Sequence, residues 1–192
     1  MPTTDLAPTK LDLDGREVEL RPLAAADRDA MLAFANGLPV RELLFLQRDI
    51  RKPKVFEAWI EQIEAGTIRS LVAVHGGAIH GCCALVRDEL SWSPHVADVR
   101  VLVDIESRGM GLGRLLAMHC LDIASQEGIE KLLVRMTTDQ PGARTMFEEM
   151  GFRPEALLRD HVRDADGVSS DILIMALAVR SHESRLGVYG LK

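Results

Sequence analysis

Three glycines at alternate positions, Gly109, Gly111 and Gly113, lie in the stretch ESRGMGLGRLL, flanked by Arg108 and Arg114 and followed at once by an apolar helical pattern. Chain without side chains one step ahead of a helix suits a phosphate, because bare backbone N–H groups and the positive end of a helix dipole converge on one anion. Spacing narrows the choice. A dinucleotide fingerprint needs G-x-G-x-x-G, but the residue three after Gly111 is Arg114 and three after Gly113 is Leu116. A nucleoside-triphosphate loop needs Gly-Lys-Ser or Gly-Lys-Thr, and no glycine-rich stretch ends that way. What remains is R-x-x-G-x-G over Arg108, Gly111 and Gly113.

The other chemistry-bearing residues are scattered. His75, His80, His95, His119 and His161 form no metal-ligand spacing with an acidic partner, so no metal is expected. His95 has a side chain suited to proton removal at neutral pH, but it stands at the start of a strand, roughly 25 Å from Val103 at the other end. Cys82, Cys83 and Cys120 are odd in number and lie in apolar stretches, which suits reduced, packed thiols rather than disulfides or an acyl-cysteine. Arg48, Arg51, Lys52 and Lys54 make a local basic run, read either as a solvated approach to a helix or as a patch for an anion or acidic substrate.

These residues need a scaffold, and hydrophobic periodicity supplies one. REVELRPL alternates as a strand; AAADRDAMLAFANGL and PKVFEAWIEQIEAG read as helices stopped by Gly37 and Gly66; RELLFLQRDI between them is a loop or short helix. RSLVAVHGGAIHGCCALVRD reads as a hairpin around Gly-Gly. HVADVRVLV is a fourth strand with Ala97, Val99, Val101 and Val103 on one face and Val96, Asp98, Arg100 and Leu102 on the other. An amphipathic helix from Gly113 to Gly128 follows, then the strand KLLVRMT, a helix over DQPGARTMFEEMG capped by Asp139, and two strands around DADG.

With loop and element order in place, the chain resembles the GNAT superfamily, acetyltransferases whose signature of the form V-x-x-x-x-R-G-x-G-x-G lies between a strand and a helix. ADVRVLVDIESRGMGLGRLL resembles the family's middle strand and pyrophosphate turn, TTDQPGARTMFEEMGF its later helix ending in Gly-Phe, and the element order matches from about residue 16 to 179. The nearest flavour is that of bacterial protein-lysine acetyltransferases. The resemblance implies an α/β GNAT fold, a mixed, mostly antiparallel twisted sheet of about seven strands flanked by helices.

It also implies a chemistry. Acetyl-CoA is the expected cosubstrate, with no metal; the backbone of Leu102 and Val103 is expected to meet the pantetheine amides, and the amides of Arg108, Gly109, Met110, Gly111, Leu112, Gly113 and Arg114 the pyrophosphate. The acetyl group then passes to an amine, on a small molecule or a protein lysine, by direct attack through a tetrahedral intermediate. Asp98 is the candidate base, standing where similar enzymes carry a glutamate; its other reading is an ion pair with Arg100 or another cation. Where many relatives carry a tyrosine that protonates the thiolate, this chain has Phe147. That departure keeps a second reading open, a non-catalytic acyl-CoA sensor.

Bulk properties bound the rest. The 192 residues suit one domain, expected over 15–180 between a flexible 1–14 and a tail at 181–192. A net charge of -6 gives no global positive field for nucleic acid or anionic lipid. No apolar run approaches the ~18 residues of a membrane span and the N-terminal stretch lacks signal-peptide regions, so a cytoplasmic location is expected. Unpaired sheet edges leave a homodimer open.

Overall fold

Period-two alternation through the middle of the chain builds a sheet that is apolar on both faces and therefore needs helices on both. The computed structural model describes residues 8–13 and 15–179; the expected tail at 181–192 and residues 1–7 lie outside the described residues. The strands are β1 (Thr9–Leu13), β2 (Arg16–Pro22), β3 (Ile68–His75), β4 (Ala78–Arg87), β5 (Val96–Val103), β6 (Lys131–Thr137), β7 (Arg153–Arg163) and β8 (Ser169–Ala178). The helices are α1 (Arg28–Gly37), α2 (Val40–Leu43), α3 (Pro53–Glu64), α4 (Leu112–Gln126) and α5 (Pro141–Glu149).

The eight strands run in the order β1-β2-β3-β4-β5-β6-β8-β7, all antiparallel except the β5–β6 pair. The sheet thus has one strand more than expected. The extra one is β1, which pairs Thr9 to Leu13 with Leu20 to Arg16, so Thr9–Leu13, within the segment expected to be flexible, is sheet edge.

One core lies between the sheet and α4 and α5, where Leu71, Cys83, Leu85, Ala97 and Val99 meet Leu112, Leu116 and Cys120. The other lies under α1 and α3, where Val72, Cys82 and Leu102 meet Met31, Phe34, Phe56 and Ile60. Neighbouring β5 residues go to opposite cores, as the alternation predicts. α4 rides close on β4 because Gly81 lies beneath it: a Cβ there would stand 3.0 Å from Leu116 and 3.2 Å from the Leu102 carbonyl oxygen.

Arg21 at the end of β2 clamps Asp27 ahead of α1 through two hydrogen bonds of 2.7 and 2.8 Å, and the Ala24 N–H donates a third at 2.9 Å. The Arg21 guanidinium holds the Asp27 carboxyl below its ordinary pKa against the cost of burial. A depressed folded pKa contributes stability above the unfolded value of about 3.9 and loses it as pH falls below that. Asp27→Asn is expected to cost about 1–2 kcal/mol at pH 7, with the difference from wild type shrinking toward pH 2 in urea melts.

Candidate active site

Two strands that separate make the first half of the site. β5 and β6 pair in parallel from Val96 with Lys131 to Val99 with Val134, and there the ladder ends, although β5 continues to Val103 and β6 to Thr137. Their facing edges beyond that point have no strand partner. A cleft of ≈ 630 Å³ opens along the separation, lined by Val101, Leu102, Val103, Met146 and Phe147 and by the glycine loop. Thr137, on the β6 face opposite the Val134 and Met136 side chains, has a buried hydroxyl with no partner among the described residues.

The glycine loop makes the second half. Gly109 and Gly111 have φ of +79° and +82°, values that favour glycine, and a Cβ on either would meet nothing within 4 Å. Gly111 is the N-cap of α4, with Leu115 N–H on its carbonyl at 3.0 Å. Among the described residues, none of the backbone N–H groups from Gly109 to Arg114 has a protein acceptor. Free amides, a helix N-terminus and open space beside them fit a diphosphate.

Sequence reasoning missed what holds this loop. Asp104 follows β5; its Oδ1 accepts the Ser107 N–H at 2.7 Å and its Oδ2 accepts Nδ1–H of His80 at 2.8 Å. Its own N–H donates to the His80 carbonyl at 3.0 Å. His80 and Asp104 are 24 residues apart, so only the β4–β5 pairing brings them together.

The flanking cations are not free. Arg108 donates a paired set of hydrogen bonds to Glu42 of α2 and reaches the Val103 carbonyl at 3.2 Å; Arg114 is paired with Glu149 of α5. Glu42 itself lines the cleft. Removing that carboxylate frees Arg108 for an anion, so Glu42→Gln is expected to tighten acetyl-CoA binding about 3-fold, the size of an exposed ion pair. Calorimetry at two ionic strengths checks this, the gain shrinking at high salt.

Asp139 does not cap α5: the N-cap is Gln140, and Asp139 instead pairs with Arg41 of α2 at 3.7 Å. Phe147 is buried and packs edge-on against Phe152, ring centroids 5.2 Å apart, leaving no hydroxyl at that position.

Asp98 lies on the β5 face of Arg100 and Leu102 and accepts a hydrogen bond from Arg135 Nε of β6 at 3.3 Å. It lines neither the cleft nor the second cavity of the site. That cavity, of ≈ 240 Å³, opens on this same face of β5, away from Val101 and Val103, among Leu46, Ile50, Trp59, Val86, Arg100 and Leu102. Leu102 lines both, so the two cavities meet at one residue of β5. The 41–50 segment, open in the sequence, becomes α2 and a turn that walls both cavities, whereas the late hairpin contributes no lining residue to either. In the basic run, Arg51 is paired with Asp49 while Arg48 reaches the second cavity.

Cys82 lines that cavity too, but burial pushes its thiol well above the ordinary range, so it is packing and not a nucleophile. No group of His, Cys, Asp and Glu among the described residues is arranged to hold a metal. No helix among them is long and apolar enough to cross a membrane.

Known proteins share this fold. The N-acetyltransferase from Staphylococcus aureus Mu50 superposes with a TM-score of 0.74 at 15% identity, over 84% of this chain and 98% of that one. The structure of yncA from Salmonella typhimurium with its cofactor acetyl-CoA gives 0.72 at 19% identity, over 84% and 94%. A curated relative, the ribosomal protein bS18-alanine N-acetyltransferase of Salmonella typhimurium (strain LT2), is 29% identical over 79 residues, 41% of this chain and 53% of its own. The chain thus spans about half the length of that relative. The acetyltransferase (GNAT) family matches residues 23–152, which takes in the splayed strands, the glycine loop and α5, and the chain belongs to that family.

Proposed function

We propose that the chain is an acetyl-CoA-dependent N-acetyltransferase that carries an acetyl group to an amine. The observation that carries this reading is the run of unpartnered amides from Gly109 to Arg114 at the mouth of the β5–β6 separation. A diphosphate meets the amides, and an extended amide-bearing arm supplies the hydrogen bonds that the parted strand edges lack. The yncA structure with acetyl-CoA supports the same choice of cosubstrate. The curated relative's acceptor is an alanine of a ribosomal protein, and other structural neighbours are spermidine N-acetyltransferases, so the family's acceptors range from proteins to small amines.

The residues divide the work. Leu102 and Val103 line the path of the arm, the Val103 carbonyl being already held by Arg108; the loop amides take the diphosphate, and the second cavity takes the amine, reaching the cleft at Leu102. Asp98 serves as proton acceptor through water rather than by contact, since Arg135 holds its carboxylate and it lines neither cavity. Asp98→Asn is expected to lower kcat about 10-fold with KM for acetyl-CoA unchanged; wild-type turnover at saturating substrates removes Asp98 from the proton path.

Phe147 favours a second reading, an acyl-CoA sensor without turnover. A thiolate of pKa about 8.5 leaves without an acid, so Phe147 does not by itself stop transfer. Thiol release from acetyl-CoA over a panel of amines separates the two: saturable release supports the transferase, tight binding without release the sensor.

A further inference from the structure

The ≈ 240 Å³ cavity holds an electrostatic anomaly. Its charged lining residues are Arg48 and Arg100, its other polar ones include Gln47 and Gln62, and no Asp or Glu lines it. Arg100 comes from the middle of β5 and is largely enclosed, and burial lowers its pKa more than the neighbouring Asp98 carboxylate raises it; Arg135 and Arg48 lower it further. Among the described residues neither Arg100 nor Arg48 has a hydrogen-bond or ion-pair partner, Asp98 being bonded to Arg135 instead. Yet Arg100 has no side-chain nitrogen sealed from solvent. Its donors therefore reach solvent, and Arg100 is among the residues that line the cavity.

An enclosed guanidinium without a partner is costly, and a planar fork of N–H groups matches a carboxylate. We infer that this cavity selects amine acceptors that carry a carboxylate, held by Arg100 from the β5 wall with Arg48 at the rim, against a body that packs on Leu46, Ile50 and Trp59. The inference rests on the transferase reading and names its acceptor class: amino acids or similar small amino carboxylates. A polyamine meets two like charges and no counter-charge here. The same cations disfavour a bound ammonium and so favour loss of its proton, the step for which no strong base lines the cavity. In the transfer, the ammonium first gives one proton to water; the neutral amine nitrogen then bonds the acetyl carbon, the carbon–sulfur bond breaks with its electron pair on sulfur, and the second proton, lost by nitrogen as the amide forms, ends on that thiolate.

The test uses the full chain with acetyl-CoA and three sets of acceptors: α-amino acids, their amides, and spermidine. Thiol release is expected to favour each acid over its amide by roughly 100-fold in kcat/KM, the scale of a charge-assisted hydrogen bond lost. Arg100→Gln should erase that preference and Arg100→Lys restore part of it, both with the acetyl-CoA Kd of wild type. Amides or spermidine turned over as well as acids, or a preference that survives Arg100→Gln, overturns the inference while the transferase reading stands. A direct arm does not depend on turnover: titration of 15N-arginine-labelled protein with N-acetylleucine is expected to shift the Arg100 Nε–Hε signal, identified by its loss in Arg100→Gln, and N-acetylleucinamide to leave it in place. A signal that neither compound moves overturns the inference. Absence of thiol release from every amine, with acetyl-CoA bound, counts against the transferase instead.

Discussion

Gly111→Asp is expected to abolish acetyl-CoA binding while the protein stays folded. The position is exposed, and a Cβ there meets nothing within 4 Å, so the substitution breaks no packing. The backbone at φ +82° costs a side-chain-bearing residue about 1–2 kcal/mol, and Asp is among those that bear it best. The larger effect is electrostatic: a carboxylate enters the space in front of the free amides, takes their donors and repels the diphosphate. Gly111→Asn separates the contributions, since it has the same shape, the same tolerance of positive φ and no charge. Calorimetry should find Asn weakened about 10-fold, from crowding, and Asp without measurable heat. An unchanged affinity in the Asp variant would move the diphosphate away from this loop.

What the sequence made legible was local. The glycine loop, the strand before it and the helix after it lie together between Val96 and Gln126, and each carries its own signal in spacing or period. β1 was missed because TKLDL sits in a polar, proline-bearing tract; its alternating Leu11 and Leu13 are too few to be a pattern until β2 pairs with them. α2, four residues long, is shorter than the period that would announce it. The insertion of β8 between β6 and β7 is a tertiary choice with no local signature.

The site divides in the same way. The amides of the loop were readable because their geometry follows from glycines ahead of a helix. The separation of β5 from β6 was not readable from KLLVRMT or HVADVRVLV, because both sequences favour strand throughout and only the three-dimensional course parts them after Val99. The His80–Asp104 clamp joins residues far apart in the chain. The ion-pair reading of Asp98, with Arg100 or another cation, is met by Arg135 across the seam, while α3 and the turn after α2 line the cavity beside Arg100.

Leu116→Ala is expected to lower stability by about 3 kcal/mol, near the middle of the range for burying a leucine and leaving a cavity. Leu116 is fully buried, and its Cδ1 is the atom that would stand 3.0 Å from a Cβ at Gly81, so α4 and β4 meet there without slack. Close packing on both sides leaves little room for collapse around the void. In a chain of this size that loss corresponds to a fall in Tm of roughly 6–12 °C, readable by circular dichroism. Met118, half a turn away and 51% exposed, is the control, with Met118→Ala within about 0.5 kcal/mol of wild type. The variant also tests how the site is built, because α4 presents the loop amides from its N-terminus while Leu116 seats that end of the helix on the sheet. If the helix position is what aims the amides, Leu116→Ala weakens acetyl-CoA binding as well as folding at temperatures where it is still native. A lowered Tm with unaltered affinity would mean instead that the Asp104 clamp alone holds the loop.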